Sequence, residues 1–221
     1  MSLNHSPSIV TDGLVLCLDA ANKRSYTGTG TTWSDLTSNN FDGTLVNGPT
    51  FVLDGYISYF QFDGTDDRAD FSYLQPAYQT TTDFTWCLWY NPNTNNTDRI
   101  IIGNRHNSAG SDSPRVFNKL TSKQFEFYPT NVIVASLAGQ WQQAILVKNQ
   151  TNLYYYRNGE LKGSATSSAT SSQTHPFFIG GDSGISNEYA NVKVSLLQIY
   201  DIAFNEDQVR QNYEATVGRY I

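Results

Sequence analysis

The stretch Asp83-Phe-Thr-Trp-Cys-Leu-Trp-Tyr90 restricts the fold of this chain more than any other. At a period of two, Phe84, Trp86, Leu88 and Tyr90 share one face of an extended strand, while Cys87 and Trp89 share the other. A strand that is apolar on both faces cannot be an edge. It needs neighbours on both sides and a covering layer above and below, so a two-layer β-sandwich is the architecture to expect. A short apolar helix is the alternative, but Pro92 follows closely, Thr80 to Thr82 precede, and β-branched and aromatic residues dominate.

The rest of the chain reads the same way. Residues 1 to 12 form an arm with Pro7 and no periodic pattern, and residues 13 to 221 form one domain. Leu14, Leu16 and Leu18 alternate with Val15 and Cys17 in a first strand that is also buried on both sides. Short strands follow at Gly43 to Val46, Tyr59 to Phe62, Arg68 to Tyr73, Arg99 to Gly103, Arg115 to Asn118, Gln124 to Tyr128 and Asn131 to Val134. Asn47-Gly48-Pro49 and Asp63-Gly64 are turns between them. Asn104 to Pro114 is a long loop, a class of segment that is functional more often than decorative. Later strands run over Trp141 to Lys148, Leu153 to Arg157, Phe177 to Gly180 and Val192 to Tyr200. Asn158-Gly159 calls for a type I′ hairpin, and Ser164 to Ser172 reads as a low-complexity surface connector. Only the end turns helical. Asn205 is placed to cap a helix with Gln208 three residues on, and Phe204 and Val209 are placed as a hydrophobic staple. The fold class expected is all-β, with one short C-terminal helix.

Composition narrows the function. The chain has 221 residues, of which 39% are hydrophobic and only 15% charged, enough apolar surface for one sizeable core. A net charge of −6 and the lack of a Lys/Arg cluster argue against nucleic acid as a partner. No run approaches the ~18 apolar residues of a membrane span, so no membrane insertion is expected. The N-terminus has no basic, apolar leader pattern, and the chain is expected to stay in the cytosol where it is made. Cys17 and Cys87 lie in strand-like surroundings and read as buried thiols rather than a disulfide.

A family resemblance rests on motifs taken in order. They are Gly13-Leu-Val-Leu-Cys-Leu-Asp-Ala, Trp33-Ser-Asp-Leu, Asp42-Gly-Thr-Leu, Asn47-Gly-Pro-Thr-Phe, Phe62-Asp-Gly-Thr-Asp-Asp, Asp83-Phe-Thr-Trp-Cys-Leu-Trp, Tyr156-Arg-Asn-Gly, Ile179-Gly-Gly-Asp, and Tyr200-Asp followed by Phe204-Asn-Glu-Asp-Gln-Val-Arg-Gln-Asn-Tyr. Together they resemble the laminin G-like, concanavalin A-like lectin/glucanase domains. More narrowly, they resemble the versions found in structural proteins of bacteriophages, marine and cyanobacterial phages included. The resemblance implies a jelly-roll sandwich of two curved antiparallel sheets of about six or seven strands each.

The fold does not decide function, since such sandwiches host lectins, hydrolases and plain interaction modules. A retaining glycosidase needs two carboxylates about 5 Å apart, which the glucanases of this fold supply from one strand at a spacing of two. Glu126, Glu160, Glu188, Glu206 and Glu214 show no such partner, so no catalytic residue and no enzyme is expected. His5, His106 and His175 are isolated, without metal or triad spacing. Gly180 to Gly184 is a turn with no helix behind it to cradle a phosphate.

The candidates that remain are binding residues. Tyr26, Tyr78 and Tyr128 lie near loops and can stack on a sugar face, with Arg105, His106 and Asn107 of the long loop beside them, whereas Trp33 reads as core. Asp63, Asp66 and Asp67 could hold Ca2+, as the resemblance implies, although Asp in Gly-rich turns caps the backbone without any metal and that reading is preferred. Leu3, Pro7 and Ile9 of the arm are the expected anchor to a partner, and deletion of residues 1 to 10 is expected to leave the fold intact. The function expected is that of a virion surface protein, a capsid decoration, fibre or tail-associated adhesin. It would be assembled in the host cytoplasm with other virion proteins as a homo-oligomer and would bind host glycans. A structural cement protein that binds no sugar is the alternative, and a glycan hydrolase comes last.

Overall fold

The computed structural model of the chain describes residues 7–55, 57–71, 83–93, 99–103, 115–119, 124–128, 132–135, 137–166, 177–181 and 188–221, with backbone alone for 115–119, 124–128, 133 and 135. Two eight-stranded antiparallel sheets face each other. The first has the order β14 (Glu160–Thr166), β13 (Asn152–Arg157), β12 (Gln142–Asn149), β7 (Phe84–Pro92), β16 (Asn191–Tyr200), β5 (Ile57–Asp63) and β4 (Thr50–Asp54). Strand β1 (Leu14–Asp19) also pairs with β16, over Leu196 to Tyr200, while β5 takes Asn191 to Val194 of the same strand. The second sheet runs β11 (Val132–Ala135), β10 (Gln124–Tyr128), β9 (Arg115–Lys119), β8 (Arg99–Gly103), β15 (Phe177–Ile179), β6 (Arg68–Phe71), β3 (Gly43–Val46) and β2 (Thr32–Trp33). The sheets are therefore one or two strands wider than the sequence implied. Among the described residues, no helix is long and apolar enough to cross a membrane.

Strand β7 lies near the middle of its sheet, between β12 and β16. Phe84, Trp86, Leu88 and Tyr90 point between the sheets, where the Trp86 ring meets Phe177 of the second sheet edge-on at 5.7 Å. The opposite face is covered by the chain's own ends. Helix α1 (Glu206–Thr216) and the 3-10 turn Val217–Arg219 lie over it, and Tyr220 stacks on Trp89 at 3.9 Å and 8°. A buried Trp removes about 200 Å² from water, an upper bound of about 5 kcal/mol, so Trp89 alone gives the helix a strong reason to dock. The indole Nε1 donates to Thr216 Oγ1 at 2.8 Å, which keeps the ring's polar edge satisfied.

The helix begins as its sequence demands. Gln208 N donates to Asn205 Oδ1 and Asn205 N donates to Gln208 Oε1, a complete capping box, with Phe204 and Val209 in one buried cluster. Asn158 and Gly159 have φ of 52° and 78°, the pair of positive angles that a type I′ turn requires between β13 and β14. Both cysteines are free and buried.

Three expectations need correction. Thr50–Asp54 and Ile57–Asp63 form a hairpin, a first strand that the polar context of Asn47 to Thr50 concealed. Ser164 to Thr166 is strand rather than connector, because pairing of Tyr154 with Ser164 and Asn152 with Thr166 satisfies the backbone whatever the side chains. The arm is not free up to residue 12. Val10 is buried under the helix, its N–H donates to Asn212 Oδ1 at 2.8 Å, and Gln211 Nε2 donates to Ser8 O. Deletion of residues 1 to 10 would thus remove a core residue and a buried hydrogen bond, which contradicts the expectation of an intact fold.

Candidate functional site

Of the expected stacking residues, Tyr26 alone has a described side chain. Tyr26 is only 7% exposed, with its ring against Phe51 and Phe60 and its hydroxyl donating to Gly30 O. A loop-flanking position misled, because this loop folds back over the gap between the sheets, and Tyr26 is withdrawn as a sugar platform. Tyr78, Arg105, His106 and Asn107 lie outside the described residues, as does Leu3, and of Tyr128 only the backbone at the end of β10 is described. In the arm, Pro7 is exposed and Ile9 half-buried. Trp33 is core, in contact with Phe60.

Asp63, Asp66 and Asp67 do converge: one carboxylate oxygen from each lies within 4.8 Å of the others. Their oxygens are in use. Asp63 Oδ1 accepts from Thr65 N at 2.7 Å and Asp66 N at 3.4 Å, and Asp67 Oδ2 accepts from Asp63 N at 3.1 Å. Burial raises the Asp63 pKa, but the amides outweigh it and hold the group below its ordinary value. At Asp67 burial comes first and the carboxylates of Asp63 and Asp66 add to it, so its pKa is raised despite the Asp63 amide. A calcium ion takes six to eight oxygens, and this turn offers carboxylates of which two are already committed to the backbone. The donor set fits a self-capped turn better than a metal site.

Two residues along β5 lies a feature that the sequence did not point to. Gln61 of β5, Lys193 of β16 and Asn91 of β7 are paired neighbours on three adjacent strands, with Lys193 between the other two. Their flanking residues Phe60, Phe62, Val192, Val194 and Tyr90 all point into the core, so these three point out. With Asn93 and Gly139 they line a cavity of about 200 Å³, where the outer face of the sheet is no longer covered by the helix. Gly139 N donates to Pro92 O, which pins the loop before β12 as the cavity's rim.

The polar groups of this cavity are held but not consumed. Gln61 Nε2 donates to Phe62 O at 2.8 Å and Asn191 Oδ1 at 3.0 Å, which orients the amide and leaves Oε1 without a partner among the described residues. The Asn91 side-chain amide has no hydrogen bond among the described residues. Lys193 Nζ has none either; it sits 5.1 Å from the centroid of the Tyr59 ring, a cation–π contact. Tyr59 meets the half-buried Trp141 at 5.5 Å, and Trp141 meets Tyr220 at 5.3 Å, so an aromatic row leads from the cavity to the helix-covered face. Amides that both donate and accept, beside a cation, are what a small polar ligand requires.

A family model described as the Concanavalin A-like lectin/glucanases superfamily, of the laminin G type, matches residues 63–210. The chain belongs to this superfamily. No curated protein matches its sequence. Among solved structures, the binding domain of Paraclostridial Mosquitocidal Protein 1 is similar with a TM-score of 0.69 and 15% identity, covering 91% of this chain and 52% of that one. The Trypanosoma rangeli sialidase in complex with the inhibitor DANA aligns with a TM-score of 0.70 and 14% identity, over 99% of this chain and 36% of the sialidase. The receptor binding domain of botulinum neurotoxin D gives 0.70 and 14%, over 93% and 53%. This chain thus spans about half or less of each, and at these identities the likeness is one of fold.

Proposed function

We propose that this superfamily member is a non-catalytic sugar-binding module and that the cavity between Gln61, Asn91, Asn93 and Lys193 is its binding pocket. The observation that carries the reading is the set of polar groups there without hydrogen-bond partners among the described residues, Gln61 Oε1, the Asn91 amide and the Lys193 ammonium, on three paired strands. The volume is below the roughly 300–1,000 Å³ of pockets that engulf drug-sized ligands, and suits one terminal sugar ring. No carboxylate lines it among the described residues, which supports binding over hydrolysis. Similarity to a toxin binding domain and a neurotoxin receptor binding domain supports a role in recognition.

The finer reading places the module on a virion surface, as a decoration, fibre or tail-associated adhesin directed at host glycans. It is supported by the motif resemblance to phage structural proteins. A glycan array with the wild-type protein and Asn91→Ala tests the sugar-binding reading. Binding that is lost in the variant supports it, and an array without a single hit sinks it in favour of a purely structural cement. Immunogold labelling of intact particles tests the location.

A further inference from the structure

Resting on that reading, we infer that the pocket selects acidic sugars, with Lys193 as the residue that holds the ligand's carboxylate or sulfate. Lys193 is half-buried at the centre of the lining, between Gln61 and Asn91 on the flanking strands, and the Tyr59 ring is the one described partner of its ammonium. Hydroxyl protons of a neutral sugar are taken most strongly by carboxylates, the charged acceptors, whereas an ammonium favours an anionic group. Among the described residues this lining has no carboxylate: Gln61, Asn91 and Asn93 are neutral, Gly139 offers backbone, and the one formal charge described there is positive. The nearest acidic group along the strand, Asp63, is committed to the amides of Thr65 and Asp66 in the adjoining turn.

The division of labour follows from the geometry. Lys193 takes the anionic substituent, while the Gln61 carbonyl and the Asn91 amide read ring hydroxyls as acceptor and as donor or acceptor. The cation–π contact with Tyr59 limits where Nζ can go, so less side-chain freedom is lost when the anion arrives. The net charge of −6 opposes an anion at long range, but that field is screened beyond about 8 Å at physiological salt, and the contact with Nζ is not.

The test is titration of the purified full chain, by NMR or calorimetry, with glucuronic acid against glucose and with galactose 6-sulfate against galactose, in wild type, Lys193→Gln and Lys193→Arg. The expected result is that at least one acidic sugar binds about tenfold or more tightly than its neutral counterpart. The gap should close in Lys193→Gln and reopen, in whole or part, in Lys193→Arg, with all three proteins melting alike. The pair that responds tells carboxylate from sulfate. Equal binding of acidic and neutral sugars overturns the inference while the sugar-binding reading survives, and an acid preference that persists in Lys193→Gln overturns the assignment to Lys193. The binding of no sugar at all overturns both.

Discussion

Replacement of Asn212 by Leu should be among the most damaging changes that keep side-chain size. Asn212 is fully buried and ties together three parts of the chain: the arm, through Val10 N to Oδ1 at 2.8 Å; the sheet, through Nδ2 to Gln198 Oε1 at 2.9 Å and to Tyr200 OH at 3.1 Å; and the helix that carries it. Nδ2 also reaches Cys87 Sγ at 3.4 Å, a weaker contact. Leucine fills nearly the same space but leaves the Val10 N–H, the Gln198 carbonyl and the Tyr200 hydroxyl facing methyl groups. A buried group without a partner costs about 1–3 kcal/mol. Tyr200 can rotate its hydroxyl and Gln198 can turn its amide, so the total should fall at about 3–6 kcal/mol, against about 5–15 kcal/mol for a whole domain. Urea unfolding followed by tryptophan fluorescence measures it, with Gln211→Ala as the control. That residue makes its bond to Ser8 O on the exposed side of the same strap and should cost under about 0.5 kcal/mol. A loss below about 1 kcal/mol for Asn212→Leu, at unchanged denaturant slope, would refute the view that this asparagine knots the terminal segments to the sheet.

Arg219→Ala should cost about 1–2 kcal/mol, because Asp19 is buried and loses the Nη1 that donates to both its oxygens at 2.7 and 2.9 Å, the figure being held down by the 41% exposure of the arginine side chain; urea midpoints check it. The thiols should resist alkylation in the native protein at pH 8 and react on unfolding, since burial pushes Cys17 up to about 12 and Cys87 higher still; mass spectrometry of labelled protein reads this. Added calcium at about 5 mM should leave the melting temperature unchanged if the acidic turn is self-capped, and a rise of several degrees would show a metal site. Asp67→Asn should be neutral or stabilise by up to about 1 kcal/mol, since an amide oxygen can still accept from Asp63 N while the repulsion by Asp63 and Asp66 goes. The sign with pH is fixed. With a folded pKa above 3.8, Asp67 makes the native state lose stability as pH rises from 3.8 through the folded value, and the variant should lack that slope.

What could be read in advance was what depends on neighbours in sequence. The double-sided apolar pattern of residues 83 to 90 placed β7 centrally, and the Asn205 and Gln208 pair fixed the start of the helix, because strand alternation and capping act within a few residues. That pattern did not say what covers the second face. The cover is the C-terminal helix and Val10, more than a hundred residues from Trp89 in one direction and nearly eighty in the other. The candidate pocket was illegible for the same reason. Gln61, Asn91 and Lys193 each look like an ordinary outward position of an alternating strand, and only the insertion of β16 between β5 and β7 brings them together; Gln61 and Asn191, now hydrogen-bonded, are 130 positions apart. Tyr26 failed in the opposite sense, since an aromatic beside a Gly-rich loop reads as exposed until the loop is seen to fold back over Phe51 and Phe60.

The most direct test of the sugar-binding claim is a map of where a bound sugar perturbs the amide and side-chain resonances of the protein. The tightest ligand from the array should shift the signals of Gln61, Asn91, Asn93, Gly139 and Lys193 together, saturably and with one dissociation constant. Shifts that cluster on another face, or none with a ligand that demonstrably binds, would contradict the assignment of this cavity as the site.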